Sequence, residues 1–454
     1  MEPTAPAWVR QRDGSLEPFD ADRVCRTLFV AAERLGRADA FLARELTDSV
    51  VHFLLTDHGD ATPTADEVRE AVATFVRELG HPRLARAYAE VTTPQAARPP
   101  EPAGPGGFSR ELLAANRDGL LLLGDLDAPA RLAARVLAWP RTADELEAAL
   151  RRLLAGAETA VLDGPEHWLG LVGLDATSFI ARLGQCPGGG VLNLNVPTPP
   201  GLDALAPGPL FRPAAERDGP TDLARRLAAQ ADRFAPAWRV VWHVPDGAAD
   251  TATDPGLEYV FDRPRRGLHL AEGVDRDAPA LLLRVGVGLD RLPEGDGPVE
   301  KVGTLARLAL SAGVQRRAHL RRLGGELSEG FLLDRARLQV VPLGLDAFVE
   351  PVRRKVLARL RDVLRTDGRR VQLATCLDAA PPGSAAFPSD GPQLDAQADS
   401  SRWRAVGQLH DAAERGCVSV SLPDGFPLAT LLERIGVTAT IDRVRLVRRP
   451  TSNA

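Results

Sequence analysis

Residues 93–107 read TPQAARPPEPAGPGG, and no other stretch restricts the fold as much. Its five prolines remove backbone donors and fix φ, so neither a helix interior nor a central strand can run through it. It has no apolar periodicity and reads as a linker. The expected division is a first unit at 1–93, the linker at 94–107 and a larger unit at 108–454. The 454 residues are ample for roughly two to four domains, and 44% hydrophobic residues can supply real cores.

The first unit is legible from local signals. Trp8–Arg12 reads as a strand, Asp13-Gly14 as a hairpin turn and Leu16–Phe19 as the return strand. Asp20 is a good N-cap for a helix carrying Val24, Leu28 and Ala31. A second helix runs through AFLARELTDSVVHFLL. A third opens with a Thr64/Glu67 capping box and stops at Gly80, and Pro82 opens a fourth. The expectation is a β-hairpin laid on a four-helix bundle.

Beyond the linker, SRELLAANRDGLL (109–121) and APARLAARVLA (128–138) read as helical, as does the long VGTLARLALSAGVQRRAHLRRL (302–323). GGVLNLNVP, WRVVWHVP, RLQVVPLGLDAFV, RRVQLATCL and CVSVSLP read as strand-led, and PLATLLERIG near the end as a helix. Residues 379–401 and 244–256 read as loops. Alternating strands and helices imply an α/β fold.

Several function classes are disfavoured. A net charge of −5 argues against general nucleic-acid binding, so no DNA partner is expected. No apolar run reaches the roughly 20 residues needed to span a bilayer, and no signal-peptide pattern is visible. Cys25, Cys186, Cys376 and Cys417 form no CxxC pair, which suits a reducing cytoplasm and implies no metal site. The two lysines, Lys301 and Lys355, exclude a Walker A loop; HExxH and GxSxG are absent. The glycines of PGGG (187–190) read as a turn rather than a phosphate cradle, and the Arg run VQRRAHLRR (314–322) as a solvated helix face.

Arg10 and Arg12 on the hairpin, with Arg23 on the following helix, can present guanidinium forks to phosphate, while Glu17 can accept from a ribose or base. In order and spacing, VRQRDGSLEPFD, LTDSVVHFL, TPTADEVREAV and RELGHPRLARAYAEV resemble the ATP-cone family over residues 8–92. The resemblance implies binding of ATP or dATP, with Mg²⁺ as companion ion, by Val9, Arg10, Gln11, Arg12, Asp13, Glu17 and Arg23. Gln11 stands where the family often has lysine, so it brings a hydrogen bond and no charge.

Residues 108–445 resemble a shortened anaerobic, glycyl-radical ribonucleotide reductase. The resemblance rests on FSRELLAANRDGLLLLGDLDAP, GGVLNLNVPTPP, LLLRVGVGLDRL with the long helix after it, LQVVPLGLDAFVE and VQLATCLDAAPPGSAA. It implies a ten-stranded α/β barrel, here degenerate. The family's thiyl cysteine precedes the strand matched to LLLRVGVGL, yet no cysteine lies between Cys186 and Cys376. The radical glycine motif and the four-cysteine zinc site of the family are not matched either. No catalytic residue is therefore assigned. The expectation is a cytoplasmic, non-catalytic nucleotide sensor acting on a ribonucleotide reductase or through self-association. The alternatives are a reductase-type enzyme activated by a partner chain and, last, a repressor like the zinc-ribbon ATP-cone proteins.

Overall fold

The structure is a computed structural model that describes residues 8–11, 14–58, 62–92, 104–137, 142–165, 173–185, 189–195, 238–244, 258–261, 278–292, 297–325, 332–379, 393–423 and 443–448, with isolated positions between them. Strands β1 (Trp8–Arg10) and β2 (Leu16–Pro18) pair antiparallel, Val9 opposite Glu17. The Gln11 N–H donates to the Ser15 carbonyl at 2.8 Å, and Gly14 takes a φ of 84° that side-chain-bearing residues rarely adopt. Helix α1 (Ala21–Arg34) starts at Asp20, whose carboxylate accepts from the Arg23 N–H at 3.0 Å. Helices α2 (Ala40–His58), α3 (Ala65–Glu78) and α4 (Pro82–Thr92) follow. Thr64 and Glu67 form the reciprocal cap of α3, and Gly80 lies just beyond its end with a φ of 87°. Leu28, Phe29, Leu54, Val72 and Val76 fill the space between these helices and are buried. The hairpin docks through the Arg10 N–H, which donates to the Pro63 carbonyl at 2.9 Å. This is the expected hairpin on a four-helix bundle.

The rest of the chain is a mixed α/β structure. In order come α5 (Arg110–Arg117), β3 (Leu121–Leu123), β4 (Leu132–Val136), α6 (Ala143–Gly156), β5 (Ala157–Asp163), α7 (Ala176–Gln185), β6 (Gly189–Asn195), β7 (Trp238–Val244), β8 (Glu258–Phe261) and β9 (Ala280–Gly288). Then come α8 (Pro298–Leu323), α9 (Leu332–Arg335), β10 (Arg337–Leu343), α10 (Val352–Arg370), β11 (Ala374–Leu377), β12 (Gln393–Asp395), α11 (Ser400–Ala413), β13 (Cys417–Leu422) and β14 (Arg443–Arg448). Among the described residues one sheet runs β11-β10-β9-β4-β5-β6-β7-β8-β14-β13-β12, with β3 off this path beside β9. β4 to β8 are mutually parallel. They meet antiparallel neighbours at β9 on one side and β14 on the other. Asp378, just past the end strand β11, bridges Arg415, just before β13, the strand next to the other end, and the Ala379 N–H donates to the Arg415 carbonyl at 2.9 Å.

Four sequence-based expectations give way here. Residues 128–137 of this stretch are not helical: their centre is β4, with Leu132, Ala133 and Ala134 fully buried. Alanine, leucine and arginine favour helix locally, but pairing with β5 and β9 outweighs that propensity. Residues 121–123 form β3 rather than extending α5. Within 379–401, read as a loop, residues 393–395 form β12; Gly189 and Gly190 open β6 as the strand reading of GGVLNLNVP has it, and a side chain at 190 would collide with the Trp238 ring and the Ala160 carbonyl. Finally, Arg316 and Arg317 are buried, so the Arg run is no uniformly solvated face; only Arg321 and Arg322 fit that description. PLATLLERIG falls largely outside the described residues. No helix among the described residues is long and apolar enough to cross a membrane.

The Gly190 contacts give a direct check. Gly190→Ala forces either the Trp238 ring or the β5 backbone to move, and overpacking of this kind costs about 1–3 kcal/mol. Urea unfolding of the full chain should register that loss, whereas Gly184→Ala, inside α7 with nothing within 4 Å of its Cβ, should not destabilise and should gain up to about 1 kcal/mol of helix propensity.

Candidate functional site

A cleft of about 770 Å³ opens between the hairpin and helices α1, α3 and α4. Strand register decides which hairpin side chains reach it. Val9 and Glu17 are cross-strand partners and share one face. Arg10 and Leu16 are the next pair and take the opposite, exposed face. Val9, Gln11 and Glu17 therefore line the cleft, and Asp20 and Arg23 join them from the first turn of α1. Its floor is apolar, with Val24, Val68 and the Tyr88 ring all buried. Its rim is ionic. The Gln11 amide donates to Glu17 at 2.7 Å, Arg23 stands 3.9 Å from the same carboxylate, and Arg69 pairs with Asp66 at 3.0 Å. The Arg23 and Glu17 side chains are 72% and 55% exposed, so their pairing contributes little to stability and can rearrange around a ligand. An apolar floor under a rim of guanidinium groups and hydrogen-bonding side chains suits a flat ring bearing an anionic tail.

Of the residues singled out from sequence, Val9, Gln11, Glu17 and Arg23 are brought together. Arg10 does not line the cleft; its backbone anchors the hairpin and its side chain lies on the outer face. Arg12 and Asp13 lie outside the described residues. Sequence reasoning missed Arg69 and Tyr88, which enter from α3 and α4. The one available signal was scarcity, since Tyr88 is one of two tyrosines in the chain. Among the described residues no group of three or more His, Cys, Asp or Glu side chains is placed to hold a metal ion.

A second polar region lies in the sheet. Arg284 on β9 donates to the side-chain Oε1 of Gln339 on β10 at 2.7 Å; the Gln339 side-chain amide donates to Asp378 at 3.0 Å; Arg443 on β14 donates to the same Asp378 oxygen at 2.6 Å. All four are buried. Cys376 sits two positions before Asp378, and burial pushes its thiol up to about 12, with Arg415 acting against that. The Asp378–Arg415 bridge sets Cys417 four positions along from the level of Cys376, roughly 13 Å, too far for a disulfide. Cys25 is likewise buried, with its thiol pushed up to about 12 by desolvation, while Cys186 lies outside the described residues.

Tyr88 provides a pH test of the cleft floor. Burial raises its phenol to about 12, against the opposing pull of Arg69 and Arg23. The neutral phenol is favoured in the folded state, so its contribution is whole below about pH 10 and is lost as pH rises towards 12. Ultraviolet titration should find a tyrosine that resists ionisation until about pH 12, and Tyr88→Phe should abolish that late step.

Residues 8–96 match the family model described as the ATP cone domain. No curated protein matches the chain. Solved structures of anaerobic ribonucleotide reductases share its fold. The anaerobic ribonucleotide reductase from Thermotoga maritima in complex with dATP and CTP aligns over 94% of this chain and 88% of that one, at 10% identity and a TM-score of 0.52. The same enzyme with citrate in the active site aligns over 94% and 95%, at 9% identity and 0.50. A further anaerobic ribonucleotide reductase aligns over 94% and 85%, at 8% identity and 0.51. The chain thus carries an N-terminal ATP cone domain and has the fold of the anaerobic ribonucleotide reductases.

Proposed function

We propose that this chain is an adenine-nucleotide sensor in which the cone cleft binds ATP or dATP and the reductase-like part is non-catalytic. The observation that carries the reading is the cleft itself: Val9, Gln11, Glu17 and Arg23 converge over an apolar floor within the residues matched by the cone model. In this reading the base lies on Val24 and Val68, Glu17 and Gln11 take the ribose or base edge, and Arg23 faces the phosphates. Arg12 and Asp13, next in sequence after Gln11, are assigned to the same lip, while Arg10, on the outer face, is left out of the cleft. Glu17, Asp20 and Asp66 are the oxygen donors nearest to hand for a Mg²⁺ ion accompanying the triphosphate.

The units are taken as 1–93, a linker at 94–107 and 108–454. The sheet is read as a ten-stranded barrel, a reading supported by the Asp378–Arg415 bridge between the β11 and β13 segments and by β12 pairing further along β13. Two features support a non-catalytic role. No cysteine lies between Cys186 and Cys376, and the polar side chains Arg284, Gln339, Asp378 and Arg443 are bonded to one another. A sensor of this kind acts in the cytoplasm, through self-association or on a ribonucleotide reductase. The competing reading, a reductase-type enzyme activated by a partner chain, draws on one observation, the buried Cys376 beside Asp378.

Calorimetry on the full chain tests the sensor. ATP or dATP should bind saturably, and Arg23→Ala should weaken binding by about 10-fold or more, the worth of one or two charge-assisted hydrogen bonds. No saturable binding of either nucleotide would overturn the proposal.

A further inference from the structure

The first turn of α1 has two sides. Asp20 and Arg23 line the cleft. Asp22, between them, accepts from Arg44 of α2 at 2.5 Å. Arg44 also reaches Asp48 at 3.2 Å, one turn further along α2. The second oxygen of Asp48 accepts from Arg307 of α8 at 2.7 Å, and Arg307 donates through Nε to Asp367 of α10 at 2.9 Å. Arg370 closes the series 3.4 Å from the other Asp367 oxygen. Five charged side chains from four helices thus form an unbroken chain, Asp22–Arg44–Asp48–Arg307–Asp367, running from the cone into the sheet-bearing part. Each ion bonds its neighbours through a different atom, so the chain cannot be cut at one link and stay connected by another.

Both arginines keep their charge despite their surroundings. Burial disfavours the protonated form of Arg44, and Asp22 and Asp48 more than offset it. The same holds for Arg307 between Asp48 and Asp367. The far end of the chain lies where α10 stops. There Arg317 of α8 donates to the Val371 and Gln372 carbonyls at 2.7 and 2.5 Å, and Gln372 holds a φ of 52°. β11 begins two residues later and leads to Cys376 and Asp378.

We propose that this ionic chain is a conformational relay. It couples occupancy of the cleft to the end of α10 and to β11, with Asp48 as the crossing point between cone and sheet. A ligand that draws Arg23 and Asp20 towards itself shifts the first turn of α1, and Asp22 passes that shift to Arg44. Ion-paired and packed chains of side chains are one means by which coupling between distant sites is carried. The inference rests on the proposal that the cleft binds nucleotide.

The test is hydrogen exchange on the full chain with and without saturating ATP, beside calorimetry on the same samples. In the wild-type chain ATP should change exchange at least about threefold in peptides spanning 352–379. Asp48→Asn removes only the crossing, since Arg44 keeps Asp22 and Arg307 keeps Asp367. It should still bind ATP, within about tenfold of wild type, and lose the change at 352–379. Arg307→Gln, cutting the same crossing from the other side, should behave alike and guards against a folding defect in either variant. ATP binding without any change at 352–379 in the wild type would overturn the relay and leave the sensor standing. So would an undiminished change in both variants. No heat of binding in the wild type would remove the sensor reading and the relay together.

Discussion

Arg316 fixes the geometry on which everything else in the larger part hangs. Its guanidinium is wholly buried in the middle of α8, beside the Phe108 ring, with the ring centroid 5.9 Å away. One nitrogen is shared among the Asp125, Ala128 and Arg131 carbonyls at 3.2–3.3 Å, and another lies 3.4 Å from the Gly106 carbonyl. A buried cation without acceptors would cost several kcal/mol, so these carbonyls must stay where they are. The segment entering from the linker and the loop before β4 are thereby held to the same helix. Arg307 and Arg317 extend the pattern, one to the cone and one to the end of α10. Three arginines on one helix tie together the cone, the linker exit and two strands that are distant in sequence.

The cone was readable because its signals are local. Asp20, the Thr64/Glu67 pair, Gly80 and Pro82 each mark a helix end within a few residues, and all four act as those types should. The sheet was less readable because its determinants are remote. Nothing inside APARLAARVLA says that β5 and β9 will flank it, and it takes the Trp238 ring and the Ala160 carbonyl to explain why position 190 has no side chain. The cleft divides the same way. Val9, Glu17 and Arg23 follow from the hairpin and the helix beside it, whereas Arg69 and Tyr88 arrive by helix packing that the sequence does not spell out.

The two polar regions differ in kind. Around the cleft, charged side chains are exposed, weakly paired and free to exchange partners, which is what a binding site for a charged ligand needs. In the sheet, Arg284, Gln339, Asp378 and Arg443 are buried and committed to one another. Dismantling such a network leaves buried charges without partners. The first region is built to respond and the second to hold.

That contrast is tested most directly by photolabelling the full chain with an azido-adenine nucleotide and locating the label by peptide mapping. Label confined to peptides within 8–27 and 65–92, and displaced by excess ATP or dATP, is the result expected of a nucleotide-binding cone. Label in β9, β10 or β14, or label in the cone that neither nucleotide displaces, would contradict it.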